Sequence, residues 1–92
     1  MSAADDLPDA GLALYYHPLC PYCVRVLMAL RDLDPPLTLH NVITSPTRRR
    51  ELIVGGGRGT VPCLRIDEAD APSRWMYEST DIIDYLRERF GG

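Results

Sequence analysis

Residues 12–36 read LALYYHPLCPYCVRVLMALRDLDPP, a stretch in which the periodicity switches once and on which the fold depends. The apolar run from Leu12 to Tyr16, bounded by Gly11 and Pro18, has the length and composition of a strand buried on both faces. From Pro21 onward Val24, Leu27, Met28, Leu30 and Leu33 recur at helical spacing, with Arg25, Arg31 and Asp32 between them, until Asp34-Pro35-Pro36 stops the run. Strand, tight turn and helix therefore succeed one another, and the turn carries the motif CPYC, which sets Cys20 and Cys23 three apart.

Outward from this unit, LTLHNVI (37–43) alternates as a second strand. SPTRRRELIV (45–54) opens a helix with Ser45 as cap and Pro46 in the first turn, and the glycines of GGGRG (55–59) break the regular structure beyond it. VPCLRI (61–66) and SRWMY (73–77) flank the polar loop DEADAP and form a predicted hairpin. A last helix begins near Ser79 or Thr80. Its stripe is Ile82, Ile83, Leu86 and Phe90, with Asp81 in the first turn, Arg87 and Arg89 in the last, and Gly91 as a C-terminal cap. The order βαβ-α-ββ-α predicts an α/β fold, a four-stranded mixed sheet covered by about three helices on its two faces. Residues 1–10 are expected to be a flexible tail and residues 11–92 a single domain.

A chain of 92 residues supports a modest core and leaves its chemistry on the surface. No apolar run approaches the roughly 20 residues that cross a bilayer, and the acidic N-terminus lacks the basic and apolar regions of an export signal. With an odd number of cysteines, three, a disulfide framework would leave one thiol over; the expectation is a soluble protein of the reducing cytoplasm. The net charge of −3 offers no general attraction to nucleic acid or to an anionic membrane, and the triplet Arg48-Arg49-Arg50 reads as a solvated helix face.

Three chemistries compete for the cysteine pair. Zinc would find His17, Cys20 and Cys23 within seven residues but lacks a fourth ligand, since Cys63 and His40 fall inside predicted strands. A structural disulfide is disfavoured by the compartment. A redox pair accounts for the spacing best, because a cysteine immediately before a helix faces the unpaired N–H groups and positive end of that helix. If its pKa falls from about 8.5 to about 5, the thiolate fraction at neutral pH rises from a few per cent to nearly all. Cys20 is then the nucleophile and Cys23, one turn into the helix and more buried, the resolving thiol. Pro21 suits the first helical turn, and Tyr22 can lay its ring beside the reacting sulfur.

These residues carry a resemblance. CPYC after a strand and opening a helix, TVP at 60–62 entering a hairpin, and ESTDII at 78–83 opening the last helix together resemble a glutaredoxin over residues 12–90. The segment SRWMYESTDIIDYL is similar to the glutaredoxin 2 type and to the glutathione-binding domain of glutathione transferases. The resemblance implies a thioredoxin-like fold and no permanently bound cofactor or metal. It implies glutathione as cosubstrate, disulfide-bonded or glutathionylated proteins as partners, and a monomer. It implies a cis bond before Pro62, with the backbone of Val61 pairing with the cysteinyl part of glutathione and Thr60 beside it. Glu78 and Ser79 would hold the γ-glutamyl group, and Tyr22 would line the same glutathione site. Arg58 would reach the glycyl carboxylate, although the place next to the TVP, where the family often has a basic residue, is taken by Gly59. The chain ends at Gly92, without the helical domain that succeeds this module in transferases. A transferase-like module and an iron–sulfur module bound through Cys20 and glutathione are the alternatives, the latter disfavoured by the stiffening effect of Pro21.

The remaining residues have structural readings. Cys63, among apolar neighbours, is expected to be a buried inert thiol, His17 to stabilise the turn by a hydrogen bond, and Trp75 and Tyr77 to pack on the sheet.

Overall fold

The structure is a computed structural model and describes residues 11–68 and 70–91; the expected tail at 1–10 lies outside the described residues. Strand β1 (Leu12–Tyr16) leads into α1 (Pro21–Leu33), which is succeeded by β2 (Thr38–Asn41). Then come α2 (Pro46–Glu51), a π-helical turn (Leu52–Gly56), β3 (Cys63–Ile66), β4 (Arg74–Met76) and α3 (Ser79–Phe90). The strands form one mixed sheet in the order β2-β1-β3-β4, with β1 parallel to β2 and the β1–β3 and β3–β4 pairs antiparallel. The predicted element order and hairpin are those observed.

Because side chains alternate across a strand, β1 serves two cores. Leu12 and Leu14 join Leu64, Ile66, Val26, Ala29, Ile82 and Leu86 in the core beneath α1 and α3. Tyr15, on the opposite face, packs with Val42, Leu52 and Cys63 beneath the π-helical turn. Each Leu or Ile buried in this way stabilises the fold by about 1.5–3 kcal/mol. The buried Tyr15 hydroxyl is satisfied: it donates to Glu51 Oε1 at 2.9 Å and accepts from an Arg65 guanidinium nitrogen at 3.2 Å. Glu51 in turn pairs with Arg48 at 2.8 Å, so α2 is tied to the sheet.

The structure corrects the sequence reading in three places. The buried face of α1 is Cys23, Val26 and Ala29, whereas Val24 and Met28 of the expected stripe are 38% and 59% exposed. Small side chains at Cys23 and Ala29 admit close packing against the sheet and α3, which a count of large apolar residues does not register. Strand β2 ends at Asn41 rather than 43, because the Asn41 Oδ1 accepts the N–H of Ile43 at 2.9 Å and turns the chain. The expected helix at 45–54 is α-helical only to Glu51 and then widens into the π turn, which closes at Gly57 with φ of 89°. The last helix, α3, begins at Ser79 as expected, with Glu78 as its N-cap residue.

Of the Arg48–Arg50 triplet, Arg49 and Arg50 are exposed and Arg48 is drawn to Glu51. The expected caps are present: Ser45 Oγ accepts the Arg48 N–H at 3.3 Å, and Gly91 caps α3 with its N–H on the Arg87 carbonyl; α1 stops at Asp34, which lies in the left-handed region.

Candidate functional site

Cys20 is the N-cap residue of α1, with φ −79° and ψ 124°. Its sulfur stands where the first N–H groups of a helix have no internal partner. Partial burial raises the thiol pKa, but hydrogen bonds from the Cys23 N–H, the Cys23 thiol and the Tyr22 N–H oppose it, and the net result is a lowered pKa. Cys23, one turn on, is fully buried. Burial pushes its pKa up to about 11, against the His17 N–H that donates to its sulfur at 3.4 Å, while the neighbouring Cys20 adds to the rise. Of the two thiols, Cys20 is therefore the one that ionises more readily and Cys23 the one that holds its proton. All three thiols are free.

The turn that presents Cys20 is held locally. His17 Nδ1 accepts the Leu19 N–H at 3.0 Å and the His17 carbonyl accepts the Cys20 N–H at 3.2 Å, which is the turn-stabilising role expected of this histidine. Leu19 and Tyr22 stand 83% and 60% exposed beside it, so the approach to the thiol is apolar.

Beyond Tyr22 opens a cleft of about 410 Å³ built from three segments distant in the chain. The α1 segment contributes Tyr22, the loop before β3 contributes Arg58, Thr60, Val61 and Pro62, and the N-terminus of α3 contributes Glu78 and Ser79. The Val61–Pro62 bond is cis, as expected. All seven residues that the resemblance assigned to glutathione thus border one cleft, with Pro62 and Ser79 buried and Arg58, Thr60 and Glu78 exposed. Arg25, Tyr77 and Thr80 line it too and went unassigned in the sequence. Arg25 had a legible signal, since it lies three residues after Tyr22 and shares its helix face. Tyr77 had none beyond its place next to Glu78, and was read only as a sheet residue.

Cys63 occupies the second core, fully buried, with its pKa pushed up to about 12 by that burial, against the opposing effect of the neighbouring Tyr77 hydroxyl. It is inert as a nucleophile at neutral pH. Among the described residues no group of three His, Cys, Asp or Glu side chains is placed to hold a metal ion. Nor is any helix among them long and apolar enough to cross a membrane.

The family model of the glutathione S-transferase N-terminal domain matches residues 14–92, which include the thiol turn, the cis-proline loop and the start of α3. The chain belongs to this family. Glutaredoxin 2 of Escherichia coli is 32% identical over 75 residues, which cover 82% of this chain and 32% of the relative. Maleylacetoacetate isomerase of Pseudomonas aeruginosa is 32% identical over 81 residues, covering 86% of this chain and 36% of that protein. The chain thus spans about a third of the length of the curated relatives it matches.

Among solved structures, the trimeric glutathione transferase of Leishmania superposes with a TM-score of 0.65 at 30% identity, over 86% of this chain and 18% of that one. A glutathione transferase family member from Pseudomonas fluorescens, with two glutathione bound, gives 0.68 at 22% identity over 92% and 38%. The fold of this family member is thioredoxin-like.

Proposed function

We propose that this glutathione transferase N-terminal domain acts as a dithiol glutaredoxin, reducing protein disulfides and glutathione mixed disulfides in the cytoplasm with glutathione as cosubstrate. The observation that carries the reading is the division of the thiol pair: an accessible Cys20 of lowered pKa at the start of α1, backed by a buried Cys23 that keeps its proton to about 11.

In this mechanism the Cys20 thiolate attacks one sulfur of a substrate disulfide, forming a mixed disulfide and releasing the other sulfur as a thiolate that takes up a proton. For a protein disulfide, Cys23 then loses its proton and attacks Cys20, releasing the second substrate thiol and closing a Cys20–Cys23 disulfide. Two molecules of glutathione reopen it, the first forming a mixed disulfide with Cys20 and the second leaving as glutathione disulfide. For a glutathionylated protein, glutathione alone resolves the intermediate. Attack falls on Cys20 because its sulfur is the accessible one of the pair, whereas Cys23 is fully buried.

The cleft supplies the groups such a tripeptide requires. The start of α3, with Ser79, suits the γ-glutamyl carboxylate, and Glu78 suits its ammonium. The main chain of Val61 before the cis bond suits the cysteinyl amide, with Thr60 and Tyr22 on either side, and Arg58 suits the glycyl carboxylate.

The deciding experiment is turnover of a glutathionylated peptide and of a protein disulfide, with glutathione and a coupled reductase. Cys20→Ser is expected to abolish both activities, whereas Cys23→Ser keeps deglutathionylation and loses most protein-disulfide reduction. Equal loss of both activities in the two variants would overturn the division of roles. The family match favours one other reading, conjugation of glutathione to an electrophile. Conjugation of a chloronitroaromatic, undiminished in Cys23→Ser and accompanied by no thiol transfer, would establish that reading instead.

A further inference from the structure

Arg58 is an exposed arginine on a glycine-rich loop, a setting in which a long cation ordinarily samples many rotamers. Here it is held at three points by one residue. The Tyr77 hydroxyl donates to the Arg58 carbonyl at 2.9 Å and lies 3.3 Å from the Arg58 N–H, which donates back to it. The ring of the same tyrosine lies under the guanidinium, with Cζ 4.2 Å from the ring centroid. Main chain and side chain of Arg58 are thereby fixed together against β4's end, at the rim of the cleft that Tyr77 itself lines.

The glycine run before Arg58, which nothing in the thiol chemistry uses, is shaped to the same contact. A Cβ on Gly56 would fall on the Tyr77 hydroxyl, and one on Gly55 on the ring of Trp75. A side chain at Gly55 would press on that ring, and one at Gly56 would occupy the place of the hydroxyl that grips Arg58. The turn and its glycines bring the loop close enough for the tyrosine to grip it.

We propose that Tyr77 is the positioning residue that pre-sets Arg58 for the glycyl carboxylate of glutathione, and that Gly55 and Gly56 serve to seat this clamp. The assignment rests on the glutathione reading of the cleft and deepens it. A cation already ordered in the free protein forfeits less conformational freedom on binding, so the clamp acts on affinity for one end of the tripeptide and leaves sulfur transfer untouched. It makes the site selective for a free glycyl carboxylate over a neutralised one.

The test compares binding of glutathione and of its glycyl monoethyl ester by calorimetry, together with steady-state kinetics, in wild type, Tyr77→Phe, Arg58→Gln and the double variant. Wild type is expected to prefer glutathione over the ester by about ten-fold, the scale of one charge-assisted hydrogen bond. Arg58→Gln should abolish that preference. Tyr77→Phe keeps the ring and removes both hydrogen bonds to Arg58; its preference should drop to about two-fold, and its KM for glutathione should rise about five-fold with kcat within two-fold. In the Arg58→Gln background the same change should add less than two-fold, because the two residues act as one unit.

The preference ratio is internal to each variant, so a general loss of folded protein does not imitate the effect. A wild type that binds glutathione, with a Tyr77→Phe variant that keeps the full preference, overturns the clamp alone. A wild type that binds no glutathione overturns the reading of the cleft and the clamp together.

Discussion

Cys20 and Cys23 have the same side chain and pKa values shifted in opposite directions, and position on one helix explains it. At the N-cap the sulfur meets N–H donors that stabilise the thiolate; one turn later it meets the sheet, where a charge is costly. Alkylation by iodoacetamide measured across pH should therefore label one site at neutral pH. Mass spectrometry should place that site at Cys20, with half-maximal rate below the ordinary thiol value of about 8.5. Cys23 and Cys63, held at about 11 and about 12, should stay unlabelled in the folded protein at pH 7. Comparable labelling of Cys20 and Cys23 at that pH would contradict the account of both thiols.

At the scale of elements, the π-helical turn between α2 and β3 does what a regular helix cannot. Its wider coil brings Gly55 and Gly56 flat against the aromatic rings of β4 and the residue after it, and so sets the height of the loop that carries Arg58 and the cis bond before Pro62. Trp75 has little room to retreat, since its ring packs 5.6 Å from that of the buried Tyr15. Gly55→Ala should accordingly destabilise the protein by about 1–3 kcal/mol, the usual scale of overpacking, despite the better helix propensity of alanine. Urea unfolding checks this as a lowered midpoint at unchanged slope. A midpoint equal to or above that of wild type would mean that the turn does not bear on Trp75.

Taken as a whole molecule, the domain buries two thiols and a phenol that titrate above neutrality. Burial raises the pKa of Cys23, Cys63 and Tyr15 in the folded state. Below about pH 8.5 both folded and unfolded chains hold the two thiol protons, and the stabilisation is fully present. As pH rises toward about 11 and about 12 the unfolded chain releases them first, so the folded state binds more protons and stability falls. At about 1.4 kcal/mol per unit for each thiol, the decline is large beside the 5–15 kcal/mol typical of a whole domain. Urea midpoints of the reduced protein should thus drop steadily from about pH 8.5 to about pH 10.5, and less steeply in Cys63→Val. A level profile over that range would show that the thiols are not buried as described.

The local order of elements was legible in the chain, because strand and helix periodicities, prolines and caps act over a few residues. So was the position of CPYC at the start of α1, and with the resemblance so was the cis bond before Pro62. Which face of α1 is buried was not legible: Cys23 and Ala29 are chosen by their small size against the sheet and α3, and smallness leaves no mark in a pattern of large apolar residues. The π turn was likewise hidden, because its widening answers to Trp75 and Tyr77, about twenty residues further on. The same holds for Tyr77 and Arg58 as partners. Residues 22–25, 58–62 and 77–80 meet around one cleft only because the sheet order β2-β1-β3-β4 lays their parent elements side by side. That convergence is a property of packing among distant segments, which propensities acting along the chain do not encode.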